Sequence, residues 1–181
     1  MFEYEKIDFE RSMTSHSAKW VGSDFLSRNM CFLFPCSTIV IIAISFAIHI
    51  NSIRQYGVPN AVFIIFPIML GLSILSLRAI IKNNKLIKIE FERPLSELRI
   101  TLRKELEQDG WKVNRSNAKY LTARKNGFWL AGTKIAILFN NNEAYVNVQN
   151  MYGNGAYFPF SFGRNKRYTD MIIHIINSKE E

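Results

Sequence analysis

Two stretches decide how this chain is read: MCFLFPCSTIVIIAISFAIHI at residues 30–50 and AVFIIFPIMLGLSILSLRAII at residues 61–81, joined by the polar connection NSIRQYGVPN at 51–60. A bilayer core about 30 Å thick calls for on the order of 20 apolar residues at helical rise. Both stretches have that length. No Asp, Glu, Lys or Arg occurs from Asn29 to Ile53 or from Gln55 to Leu77, and a charge at the centre of a spanning helix costs roughly 2.5–3.5 kcal/mol on insertion scales. Arg78 lies near the end of the second stretch, where its stem can carry the guanidinium to an interface. The expectation is a pair of membrane-spanning helices. The competing reading, a buried core hairpin, puts an unusually large apolar mass inside a chain of 181 residues.

Outward from this hairpin the chain is polar, so the averages of 48% hydrophobic residues and mean hydropathy −0.01 combine two different parts. The formal net charge is +8, and Lys and Arg close to a span resist translocation. Lys19 and Arg28 precede the first stretch, Arg54 alone lies in the connection, and Arg78, Lys82, Lys85, Lys88, Arg93 and Arg99 follow. This predicts a multi-pass inner-membrane protein with both termini cytoplasmic. Its divisions would be an N-terminal segment (1–29), the hairpin (30–81) and a cytoplasmic domain (82–181). The first apolar run is too long for the core of a signal peptide and follows a charged leader. Cys31 and Cys36 are five apart and point to different helix faces, so they cannot pair with each other and act as small apolar fillers.

Residues 1–29 open with Phe2, Tyr4, Ile7 and Phe9 alternating among charges, which suggests a short strand. Ser12 to Ser17 reads as loop, and Trp20, Phe25 and Leu26 as an aromatic belt at a membrane interface. Pro35 falls about a turn and a half into the first span, and Pro67, in the body of the second, should kink it. Ala43, Ala47, Gly71, Ser73 and Ser76 supply small residues for close helix packing.

Past residue 81 the pattern changes. Ile87, Ile89 and Phe91 alternate with Lys88, Glu90 and Glu92 as in a strand. Pro94 suits a helix start, Leu95, Leu98, Leu102 and Leu106 form one helical stripe, and Asp109-Gly110 closes it. Trp111–Val113, Lys119–Lys125, Thr133–Phe139 and Ala144–Met151 read as strands, the last two forming a hairpin about Asn140-Asn141-Asn142. Tyr157–Phe162, interrupted by Pro159, suits an edge, and Asn165 would cap a final helix over 166–177. The expected fold is a transmembrane helical hairpin plus a small α+β domain with an antiparallel sheet of about four strands and two helices.

Residues 82–125 hold twelve Lys/Arg against six Asp/Glu. Such a surface either binds anionic lipid headgroups or only sets topology. Lys82, Lys85 and Lys88 are its nearest charges to the hairpin. Arg164, Lys166 and Arg167 follow Gly163 at a helix N-terminus, where the dipole and free N–H groups favour an anion; a plain strand-to-helix turn with solvated charges is the alternative. The strand aromatics alternate like core residues and carry no nucleic-acid motif. His16, His49 and His174 lie in three regions without Cys or acidic partners at ligand spacing, so no metal site or cofactor is expected. No nucleophile elbow, Walker loop or zinc-protease motif occurs, and no catalytic residue stands out.

From Gly132-Thr133-Lys134-Ile135-Ala136-Ile137 through Ala144-Tyr145-Val146-Asn147-Val148 to Ser161-Phe162-Gly163-Arg164-Asn165-Lys166-Arg167, the chain resembles uncharacterised bacterial membrane proteins. In these, transmembrane helices are joined to a small α+β cytoplasmic domain ending in a Phe-Gly-basic-Asn-basic turn. The resemblance covers residues 94–177 and implies architecture, with no activity attached. The expected role is a non-enzymatic, membrane-tethered interaction or regulatory module whose partners are the bilayer, a protein or a second copy. An immunity protein neutralising a pore-forming toxin through its hairpin, and an interfacial lipid-modifying enzyme, are the alternatives.

Overall fold

The computed structural model describes residues 6–21, 37, 39–45, 47–48, 55, 60–127, 131–152, 156–157, 161 and 163–178. The elements are β1 (Lys6–Ile7), α1 (Phe9–Ser15), β2 (Trp20–Val21), α2 (Asn60–Asn84), β3 (Ile87–Glu90) and α3 (Leu95–Gln108). They continue with β4 (Lys112–Ser116), β5 (Tyr120–Lys125), β6 (Ala131–Asn140), β7 (Glu143–Tyr152), β8 (Ala156–Tyr157) and α4 (Arg164–Asn177). Five strands form an antiparallel sheet in the order β3-β7-β6-β5-β4, and β8 pairs with the end of β7.

Its centre is the β6–β7 hairpin, paired without a break from Ala131↔Tyr152 to Asn140↔Glu143. The turn is made by Asn141 at φ 53°, a left-handed conformation that asparagine tolerates better than most residues. Period two then sorts β7 cleanly. Ala144, Val146 and Val148 point to one face and join the main core; Tyr145, Asn147 and Gln149 point to the other.

The first face is covered by α3 and α4. Leu98, Leu102 and Leu106 recur at a spacing of four, lie on one stripe of α3 and are fully buried. They pack with Ile135, Ile137 and Val146 of the sheet and with Ile172 of α4. Pro94 is the N-cap of α3. Gly110 at φ 78° turns the chain out of it, and Trp111 N donates back to the Leu106 carbonyl at 2.9 Å. Helix α4 starts from Gly163 at φ 82°. Asn165, expected as its cap, lies inside the first turn with its side chain buried.

The second face is covered by the N-terminal unit, and here the expectations need correction. Ser12 to Ser15, read as loop, belong to α1, which Asp8 caps by accepting from Arg11 N at 3.1 Å. Trp20, read as an interfacial aromatic, is 4% exposed and packs with Ile7, Ala18, Tyr120, Ala136 and Leu138 in a second core. Phe2, Tyr4, Phe25, Leu26, Pro35, Cys31, Cys36, His49, Gly153 to Gly155 and Phe158 to Phe160 lie outside the described residues.

The expected fold class is corrected as well. Among the described residues no helix is long and apolar enough to cross a membrane, so the two-span hairpin and the multi-pass inner-membrane location with cytoplasmic termini are not upheld. The physical reason lies in α2. Its run without charge or amide ends, Ala61 to Leu77 between Asn60 and Arg78, is 17 residues, about 26 Å at helical rise and short of a core of about 30 Å. Pro67 interrupts it, and the last turn, through Asn83 and Asn84, is fastened to the sheet. Of the first stretch, residues 37, 39–45 and 47–48 are described, and they are helical. The sheet likewise exceeds the expected four strands, because β3 pairs with β7 from Ile87↔Val146 to Glu90↔Glu143 and extends the sheet beyond the hairpin.

Candidate functional site

The most elaborate polar arrangement of the described residues is the junction where α2 meets the sheet. Two amides of β7, Asn147 and Gln149, point away from the main core and are almost completely buried. Buried amides need partners, and the C-terminal end of a helix has carbonyls without intrahelical donors. The two requirements meet: Asn147 Nδ2 donates to the Asn83 carbonyl at 2.8 Å and the Lys85 carbonyl at 2.9 Å. Gln149 Nε2 donates to Asn84 Oδ1 at 2.9 Å, while its Oε1 accepts from Trp20 Nε1 at 3.1 Å. Backbone bonds from Ala18 N to the Asn84 carbonyl (3.0 Å) and from Leu86 N to the His16 carbonyl (3.1 Å) tie in the N-terminal unit. The Lys134 ammonium lies 3.8 Å from the centroid of the Trp20 ring, a cation–π contact that strengthens when water is excluded. Lys134 is itself buried. This junction holds the direction of α2 relative to the sheet.

The six basic residues singled out from the sequence fall into two groups that the fold keeps apart. Lys82 and Lys85 are exposed at the end of α2, on the face bearing Asn147 and Gln149. Lys88 is exposed on β3 but engaged, with Glu143 at 2.6 Å and Glu90 at 3.3 Å. Arg164, Lys166 and Arg167 are exposed on the first turn of α4, which packs on the opposite face. Arg167 helps hold down the pKa of Asp109. Burial pushes that carboxyl up, but hydrogen bonds from Lys125 and from Trp111 outweigh it, so Asp109 stays below the ordinary aspartate value. Lys125 also lies 5.8 Å from the Trp111 ring and 5.7 Å from that of Tyr168. This cluster joins α3, β5 and α4, and so serves the fold.

The Lys88–Glu143 pair has a testable pH signature. Hydrogen bonds from Lys88 and then from Tyr145 hold the Glu143 carboxyl below its ordinary value. A depressed acid stabilises the folded state above its unfolded pKa, and the contribution is lost as pH falls through the folded one. Wild type should therefore be more stable than Glu143→Gln at pH 7, with the gap closing below about pH 4. Equal stability at both pH values in urea titrations would remove the pair from the account.

Sequence reading missed Trp20, Asn83, Asn84, Lys134, Asn147 and Gln149. The signal available was the polar alternation of β7 opposite Val146 and Val148, which has the same pattern whether the polar face meets solvent or buried partners. A groove of about 600 Å³ is lined by Glu90, Glu92, Arg93, Glu97 and Ile176 to Ser178. Its arginine is committed to α4, donating to the carbonyls of Ile175 (2.6 Å), Ile176 (2.9 Å) and Ser178 (2.5 Å). Among the described residues no group of His, Cys, Asp or Glu is arranged to hold a metal ion. No protein-family model matches the sequence, and no curated protein matches it.

Proposed function

We propose that the chain is a non-enzymatic interaction module that docks on an anionic lipid surface through α2, with the sheet and its helices as the platform that the helix carries. One observation supports this most. Ile68, Leu70, Leu72, Ile74 and Leu75 are all exposed, and at 100° per residue they spread over an arc of about 200° of the helix, with Ser73 buried on the remaining side. Fluid acyl chains at a bilayer surface mould to an apolar face this wide more readily than a narrow groove in a protein partner does. Exposed apolar surface on this scale marks an interaction site. Lys82 and Lys85 follow this surface and are exposed, placed to meet phosphate or carboxylate headgroups at about 1 kcal/mol each. The junction at Asn147 and Gln149 then transmits the orientation of the docked helix to the sheet.

Flotation of the full chain with phosphatidylcholine vesicles, with and without phosphatidylserine, tests the reading. Binding should be tighter with phosphatidylserine, and Lys82→Gln and Lys85→Gln should each weaken it about fivefold. Full chain that stays at the bottom of the gradient with both vesicle types would overturn the proposal, as would binding that survives deletion of residues 60–81.

A further inference from the structure

The exposed edge of the sheet at β3 carries a second, independent inference. Backbone groups of an antiparallel edge strand point alternately toward the sheet and away from it. Phe91 N donates inward to the Asn142 carbonyl at 3.0 Å, whereas Leu86 N donates outward to the His16 carbonyl. Counting from either bond, Ile87 and Ile89 face β7, and the N–H and C=O of Lys88 and Glu90 face outward. Among the described residues no strand pairs with that side of β3. The open slot is short: His16 to Ala18 occupy the edge at residues 84–86, and the strand ends at Glu90.

We infer that this slot takes the same strand of a second copy, antiparallel about a two-fold axis at Ile89. The chemistry of Lys88-Ile89-Glu90 is self-complementary in that register. Lys88 of one copy stands directly opposite Glu90 of the other, and such a pair exchanges both of its backbone hydrogen bonds. The two symmetry-related pairs satisfy all four outward groups of each strand. Their side chains lie on one face as Lys–Glu neighbours, which is a favourable cross-strand pairing. Glu90 is available for this. Its side chain is 79% exposed, and its bond to Lys88 within the chain, at 3.3 Å, is longer than the 2.6 Å bond that Lys88 makes to Glu143. Ile87, 44% exposed, comes opposite Phe91 of the second copy and loses that exposure. Parallel pairing or a shift by one residue sets Lys88 opposite something other than Glu90 and forfeits the match. A C2 contact of this kind is closed, so the product is a dimer and not a filament.

The test uses the full chain in a non-ionic detergent, with mass measured by sedimentation equilibrium over a concentration series. Wild type should dimerise. Glu90→Lys sets Lys against Lys in both pairs and Lys88→Glu sets Glu against Glu, so each alone should weaken dimerisation about tenfold or more. An equimolar mixture of the two variants restores opposite charges in both pairs and should recover a mixed dimer. Glu90→Pro removes one outward N–H that the monomer does not use, a position where an edge strand accepts proline, and should leave a folded monomer. Circular dichroism checks that each variant is folded. A monomeric wild type, a dimer unaffected by Glu90→Pro, or variants that fail to recover on mixing would each overturn the inference. A dimer formed through the apolar α2 gives the second of these results, and loss of lipid binding gives none of them.

Discussion

Asn147→Asp should lower the unfolding free energy by about 3 kcal/mol or more at pH 7, a large effect for the exchange of one amide nitrogen for oxygen. The side chain is 2% exposed, and its two donated bonds end on the carbonyls of Asn83 and Lys85. Its Oδ1 has no hydrogen-bond partner, so the whole contribution of the amide comes from the NH₂ group. A carboxylate of the same shape has no donor, faces two carbonyl oxygens, and sits at the negative end of the α2 dipole. The folded state then favours the protonated acid, which keeps one donor, and the folded pKa rises above the unfolded value of about 3.9. For a raised acid the penalty is absent below the unfolded pKa. It grows by about 1.4 kcal/mol per pH unit until the folded pKa is reached, then stays constant. Urea titrations at pH 4 and pH 7 should show a variant close to wild type at the lower pH and clearly weaker at the higher one. Asn147→Leu, which cannot ionise, should show no such pH dependence. A variant equally stable at both pH values would mean that Asn147 does not fasten α2.

The reason this junction escapes a sequence reading is distance along the chain. The bond between Trp20 and Gln149 joins residues 129 apart, and those between Asn147 and the end of α2 join residues 64 and 62 apart. Local patterns were legible where one element sufficed. The Leu98, Leu102 and Leu106 stripe specifies one face of α3, and the triple asparagine between two alternating runs specifies the β6–β7 turn. They failed where an alternating strand is buried on both faces. Tyr145, Asn147 and Gln149 look like a solvated side, and only the N-terminal unit and the end of α2 make them interior. The same limit applies to the basic residues. Lys88 reads as a free cation until β3 is paired with β7 and Glu143 lies beside it. For α2, apolar composition continues through Ile81, but the position where the helix stops being an apolar rod and becomes part of the sheet junction is set by Asn83, Asn84 and their partners on β7. Those partners lie in another element.

Leu102→Ala should cost about 2–5 kcal/mol, the range for deleting a buried leucine side chain in a well-packed core. Leu102 is the middle of the three fully buried leucines of α3, with one turn of helix packed on either side of it. Collapse around the deletion is restrained at the C-terminal end of the helix. Helix α3 is held at its C-terminal end by the Asp109, Trp111 and Lys125 contacts. At the same end, the edge-to-face contact of Trp111 and Tyr168, at 4.9 Å and 81°, ties α4 to this corner. A helix that cannot shift leaves a cavity, and the cavity adds to the lost transfer free energy. Ile100, two residues away on the same helix, is 69% exposed, so Ile100→Ala should change stability by no more than about 0.5 kcal/mol. Both variants keep the same helix propensity change to alanine within a few tenths of a kcal/mol, so their difference isolates burial. Denaturant unfolding of the pair, at unchanged slope, should separate them by at least about 1.5 kcal/mol. Equal losses would mean that the leucine stripe does not face the sheet, and the two-layer core would have to be abandoned.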